Sequence, residues 1–288
     1  MLRFLLHISL PVIVPLLVIG ILIRPQLENN FDFTYYKHLG RHKSLIIGCS
    51  LSHFGIDPSA FSSRHDLFNY AFTNTTSPYS EAYYEAIQQK ITKEKDAIFI
   101  LEINPLLFID KGEVDGISEK GDPQMDAMFF KNWDPNYEYV FRNSSPLYKI
   151  FTSSDTGAYV NYRNGFTALI HRIEKKERLH KKRRLYPLAA DRMEYFQKTI
   201  DLLRQYGRVF FVSVPIDASD RKLEDEMWPG FYDSIKVLAQ QQNISYIDLQ
   251  PDFPDLKMAD NSHLGAKDAE LVSKVLSDKV EILLKQQR

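Results

Sequence analysis

Two spacings of apolar residues alternate along this chain. Short unbroken apolar runs stop at Gly, Asn or Pro, and between them apolar residues recur every three or four positions. Unbroken runs fit strands of a parallel sheet covered on both faces, and the wider spacing fits amphipathic helices. Strands are expected at Ser44 to Gly48, Asp66 to Ala71, Asp96 to Ile103, Val209 to Pro215 and Ser245 to Leu249. A helical turn follows Ser50 and ends before Asp57-Pro58. Ser77-Pro78 reads as an N-cap with proline at the first helical position, opening a helix to about Lys93 with Tyr83, Ile87 and Ile91 on one face. Further helices are expected at Leu188 to Tyr206, closed by Gly207 as C′ residue, at Pro229 to Gln242, and at Gly265 to Lys285. Strands alternating with helices predict an α/β fold, a parallel five-stranded sheet between helical layers.

The first apolar stretch is of another kind. Phe4 to Ile23 carries only His7 and Ser9 as polar residues, long enough to cross a bilayer as a helix. Pro11 and Pro15 are tolerated in such spans. A cleaved signal peptide needs small residues after the apolar run, and Ile21-Leu22-Ile23-Arg24-Pro25 supplies none. An uncleaved anchor over residues 1–24 is therefore expected, with a cleaved signal or a buried helix as the alternatives. Residues 25–42 form a linker. Flanking charges are nearly balanced, and the short N-terminal tail places the C-terminal domain outside the cytoplasm.

The region 106–187 breaks the alternation and reads as an insertion in the domain spanning 43–288. It holds an aromatic cluster (Phe129, Phe130, Trp133, Tyr137, Tyr139, Phe141), read as a satellite core or a glycan or acyl groove. It also holds a basic run from Arg172 to Arg184 with eight Lys/Arg and two Glu, read as a solvated helix face or a contact for anionic headgroups or polymer. With 44% hydrophobic and 25% charged residues the chain is of globular type, and its net charge of −1 gives no field for nucleic acid. Its one cysteine, Cys49, excludes an intrachain disulfide. Metal-ligand spacings, Gly-rich phosphate loops and dinucleotide fingerprints do not occur, so no cofactor is expected.

In parallel sheets, sites form beyond the C-terminal ends of the strands. Four loops there carry chemistry: Ser50 after strand 1, Asn74 after strand 2, Asn104 after strand 3, and Asp260 with His263 after strand 5. A serine hydroxyl needs a base to act as nucleophile, and the base benefits from an orienting carboxylate. Ser50, His263 and Asp260 fill those roles, and backbone N–H groups at the strand-to-helix turn are placed to stabilise an oxyanion. A serine after a strand is also an ordinary helix cap. Cys49 is read as an ordinary thiol, His53 as a first-turn helix residue, and Asp248 as a lesser competitor to Asp260.

These residues resemble the motifs of the SGNH/GDSL hydrolase superfamily, and within it those of membrane-anchored, DltD-like envelope proteins. Gly48-Cys49-Ser50 stands at the Gly-Asp-Ser block, the segment Asn69 to Asn74 at the block ending in an oxyanion glycine, Asn104 near the Gly-x-Asn-Asp asparagine, and Asp260-Asn261-Ser262-His263 at the terminal Asp-x-x-His block. Asn74 replaces a glycine, and Glu102-Ile103-Asn104-Pro105 lacks the Gly and Asp of its block. The resemblance implies a three-layer, flavodoxin-like SGNH fold and acyl chemistry through an acyl-Ser50 intermediate. It implies a bacterial envelope polysaccharide or polymer as substrate, and a membrane-bound O-acyltransferase as partner. The altered blocks also fit a catalytically silent binding or assembly module.

Overall fold

A computed structural model describes residues 41–71, 77–109, 188–258 and 263–286. Within them run β1 (Ser44–Ile47), α1 (Ser50–Gly55), β2 (Leu67–Asn69), α2 (Glu81–Lys90), β3 (Ala97–Glu102), α3 (Ala190–Leu203), β4 (Gly207–Ser213), α4 (Ala218–Met227), α5 (Phe231–Gln241), β5 (Ser245–Asp248) and α6 (Ala266–Gln286). Every strand pairing is parallel, in the order β2-β1-β3-β4-β5.

Helices cover both faces, which is why the strands read as continuous apolar runs. On one face Leu45, Phe99, Leu101 and Phe211 pack with Tyr83 and Ile87 of α2, Phe196 and Ile200 of α3, and Ile235 and Ala239 of α5. On the other, Ile46, Ile98, Ile100, Phe210 and Val212 pack with Ala269, Val272, Leu276 and Val280 of α6. The alternation of these two sets along each strand follows from the two-residue period of the side chains.

Reading outward from β1, the chain goes to β2 on one side and later to β3 on the other. That reversal opens a crevice between the C-terminal ends of β1 and β3, the place where doubly wound sheets bind ligands. Ser50 and Asn104 follow those two ends.

Several local expectations need correction. The cap of α2 is Ser80, whose hydroxyl accepts from Tyr83 N–H; Ser77 instead donates its hydroxyl to the Leu107 carbonyl. Gly207 is not a helix C′ residue but the first residue of β4. A Cβ there would lie 2.0 Å from the Ala97 carbonyl oxygen, so close approach to β3 requires the glycine. The helix α4 is absent from the sequence expectations. Its segment is strongly charged and buries only Leu223, Glu224 and Met227.

Around the expected insertion, the chain leaves at Ile109 and returns at Leu188, which pair antiparallel. The aromatic cluster, the basic run, the anchor and nearly all of the linker lie outside the described residues. Among the described residues no helix is long and apolar enough to cross a membrane.

Candidate functional site

The turn from β1 into α1 is built around a carboxylate. Glu102, the last residue of β3, is fully buried. Its Oε2 accepts from the backbone N–H of Cys49 at 2.9 Å and of Ser52 at 3.1 Å, and its Oε1 accepts from the Cys49 thiol at 3.0 Å. The first N–H groups of a helix have no partner within the helix, and a negative charge there is favourable. Gly48 is the space for this arrangement, because a Cβ on it would stand 2.4 Å from Glu102 Oε2. Ser50 is half-buried and opens α1. Neither amide bond to Glu102 uses the Ser50 N–H. Two of the turn amides expected to serve an oxyanion are thus already engaged by a carboxylate.

The far end of α1 is held from β2. Asn69 is fully buried, and its Nδ2 donates to the carbonyls of Ser52 and Ile56, both at 2.9 Å, while its Oδ1 accepts from Ala71 N–H at 3.1 Å. His53 sits beside it, 2% exposed, with Nδ1 3.1 Å from the Ala71 carbonyl. That contact calls for a proton on Nδ1 and ties the ring to the scaffold.

His263 reaches the same helix from the other side of the chain. Its ring meets Phe54 edge to face, with centroids 4.7 Å apart. Phe54 lies four residues beyond Ser50, on the same face of α1, and helical side chains lean toward the N-terminus. The ring pair therefore sits along the Ser50 face of the helix. Leu264 fixes the approach: it is 1% exposed and would touch a Cβ on Gly55 at 3.1 Å. Ser273 of α6 ties the helix to this turn: its hydroxyl donates to the Ala269 carbonyl at 2.6 Å, lies 3.3 Å from the Gly55 carbonyl, and accepts from Asp57 N–H at 2.8 Å.

Asn104 stands two residues past Glu102. The β1–β3 register pairs Ile47 with Leu101. Carried on by one position, it sets Gly48 against Glu102; Ser50, in α1, and Asn104 follow the ends of these two neighbouring strands. The Asn104 Oδ1 caps the turn Pro105–Leu107 by accepting from Leu106 N–H at 2.9 Å, which leaves Nδ2 as the end of the side chain able to donate to a substrate. Tyr79 holds the end of β3 in place, its hydroxyl donating to the Glu102 carbonyl at 2.5 Å. Burial pushes the Tyr79 phenol well above its ordinary range, with the Glu102 charge adding to it, so it stays a protonated donor.

Of the expected site residues, Ser50, His263 and Asn104 are thus placed at one rim. Asp260 and Asn74 lie outside the described residues. Asp248 is turned elsewhere: it pairs with Arg221 at 3.3 Å and accepts from Gln250 N–H, on the strand farthest from β2. Sequence reasoning missed Glu102, Asn69 and Phe54. An acid closing an otherwise apolar strand was the available signal for Glu102, and the other two carried none. No family model matches this chain, and no curated protein sequence does.

Proposed function

We propose that this chain is a membrane-anchored serine esterase or O-acyltransferase of the SGNH type. It has a three-layer flavodoxin-like domain, held outside the cytoplasm by residues 4–23, and acts on acyl groups of an envelope polysaccharide or polymer. The observation that carries this reading is the seating of His263 on Phe54, one helical turn beyond Ser50. The 2-1-3-4-5 strand order supports it, since the crevice it creates lies between Ser50 and Asn104.

In this reading His263, oriented by Asp260, removes the proton from Ser50 Oγ as the oxygen attacks the acyl carbonyl. The tetrahedral oxyanion is met by the Ser50 N–H, Asn104 Nδ2 and the Asn74 backbone N–H. His263 then protonates the departing alkoxide, leaving an acyl-Ser50 ester. An acceptor hydroxyl or water attacks that ester, gives its proton to His263, and releases Ser50, which takes the proton back. The resemblance to DltD-like proteins implies a membrane-bound O-acyltransferase as partner.

A second reading, a binding or assembly module without catalysis, is favoured by Glu102. Its buried carboxylate takes two turn amides and sets a negative charge beside the place where an oxyanion forms. A fluorophosphonate probe separates the two. Labelling that is lost in Ser50→Ala and in His263→Ala supports the enzyme. A folded protein that resists a panel of small and large probes supports the module.

A further inference from the structure

The end of the sheet opposite Ser50 carries a cavity of about 610 Å³. Lys43, Arg64, Lys95, Arg204, Arg208 and Lys285 line it, and Asp96 is the one carboxylate among its described lining residues. Glu281 adds a second negative charge nearby, pairing with Arg64 and with His65. Asp66, which accepts from the Lys43 N–H, is a third. Three carboxylates against six cations still leave a positive concavity on a chain whose net charge is −1. Helix C-termini attract cations, and this explains Lys285 in the last turn of α6 and Arg204 at the end of α3. Lys95 and Arg208 serve the same helix ends, donating to the Gln205 and Leu284 carbonyls, and Arg64 pairs with Glu281; neither reason covers Lys43, which enters from the loop leading into β1 and converges on the same space. The volume lies in the range of small-molecule sites and exceeds the needs of a single inorganic ion.

Lys43 also marks where the chain enters the domain, directly after the linker from residues 4–23. We infer that this cavity binds the phosphate headgroup of an anionic phospholipid and seats the domain on the bilayer with the Ser50 rim turned away from the membrane. The inference rests on the reading of residues 4–23 as an anchor. Lysine and arginine are attracted to an anionic leaflet, and arginine forks suit phosphate oxygens.

The test uses the full chain in dodecyl maltoside, titrated calorimetrically with dioctanoyl phosphatidylglycerol, dioctanoyl phosphatidylcholine and inorganic phosphate. Phosphatidylglycerol is expected to bind at least tenfold more tightly than either of the others. The pair Arg204→Glu and Lys285→Glu, and separately Lys43→Glu, should weaken that binding at least tenfold, while Lys236→Glu on the remote helix α5 leaves it unchanged. Equal binding of both lipids, or charge reversals without effect, overturns the inference. Inorganic phosphate binding as tightly as the lipid assigns the cavity to a soluble phosphate and overturns it too. Alkaline carbonate extraction of cell membranes tests the anchor by itself. Release of the chain there sinks the anchor reading, whatever the calorimetry shows.

Discussion

Phe54 and His263, 209 positions apart in sequence, meet edge to face at a 65° angle with ring centroids 4.7 Å apart. Phe54 is thereby the wall against which the base of the proposed triad rests. A misplacement of about 1 Å in a catalytic group can cost ~10²-fold in rate. Phe54→Ala is expected to lower the fluorophosphonate labelling rate by ~10- to 100-fold, with Phe54→Tyr restoring most of it. Thermal unfolding beside the labelling separates the two roles: a folded Phe54→Ala protein that labels at the parent rate would leave Phe54 as packing alone.

Gly48 and Glu102 form a second pair whose meaning depends on both. Glu102→Ala strands the N–H groups of Cys49 and Ser52. At ~1–3 kcal/mol for each buried unsatisfied donor, the loss should be ~3 kcal/mol in urea unfolding. Glu102→Gln can keep its oxygen toward both amides and turn its NH₂ to the Cys49 sulfur, so it should cost ~1 kcal/mol. Gly48→Ala drives a methyl to within 2.4 Å of Oε2, 2.7 Å of Ser52 Oγ and 2.8 Å of the Glu102 Cβ. It should cost ~2 kcal/mol alone and somewhat less in the Glu102→Ala background, where the carboxylate contact is removed but the other two remain. Additive losses in the double variant would show that the clash is not with Glu102.

This pair also shows what the sequence can and cannot display. The five strands and the faces of α2, α3, α5 and α6 were legible because burial on one or both faces writes itself as apolar period. Their boundaries moved by at most four residues, as at β2, where only Leu67–Asn69 pairs with β1. The glycine at position 48 was visible, but its reason lies in β3, 54 residues later, and becomes apparent only once the Ile47–Leu101 register is known. The same holds for Gly207 against Ala97. Helix α4 was hidden because Asp217 caps a helix whose exposed face is almost wholly charged. Ser50 and His263 were recognisable by residue type, while the ring contact that seats His263 on Phe54 belongs to tertiary packing.

Asn69 makes a prediction about rigidity rather than chemistry. Two hydrogen bonds from one buried amide, to the Ser52 and Ile56 carbonyls, hold the C-terminal half of α1 to β2. Asn69→Ala leaves the Ser52 and Ile56 carbonyls without that donor, which should cost ~2–4 kcal/mol in stability. Asn69→Asp removes the donor and buries a charge, so it should cost more than Asn69→Ala. If Asn69→Asp proves the milder change in urea unfolding, the clamp is not made by the amide hydrogens.

His42 gives the fold a sensitivity to mild acid. Its ring stacks on Phe68 with centroids 4.1 Å apart, and the buried Lys90 ammonium lies 4.3 Å from the centre of the same Phe68 ring. Burial of the imidazole, reinforced by the Lys90 charge, holds its pKa below the usual histidine range, against the opposing pull of Asp66. The unfolded chain, with a histidine pKa near 6.5, therefore binds more protons than the folded one just below that pH. The stability due to neutral His42 is fully present above about pH 6.5 and is lost as pH falls from there through the folded-state pKa. Urea unfolding of the detergent-held protein at pH 7.5 and pH 5 should show a loss that His42→Phe reduces, since phenylalanine keeps the stack and has no proton to bind. Asp66→Asn removes the interaction that raises the pKa, so the loss in that variant should be larger than in the parent. Equal pH dependence in the parent and His42→Phe would remove His42 from the account.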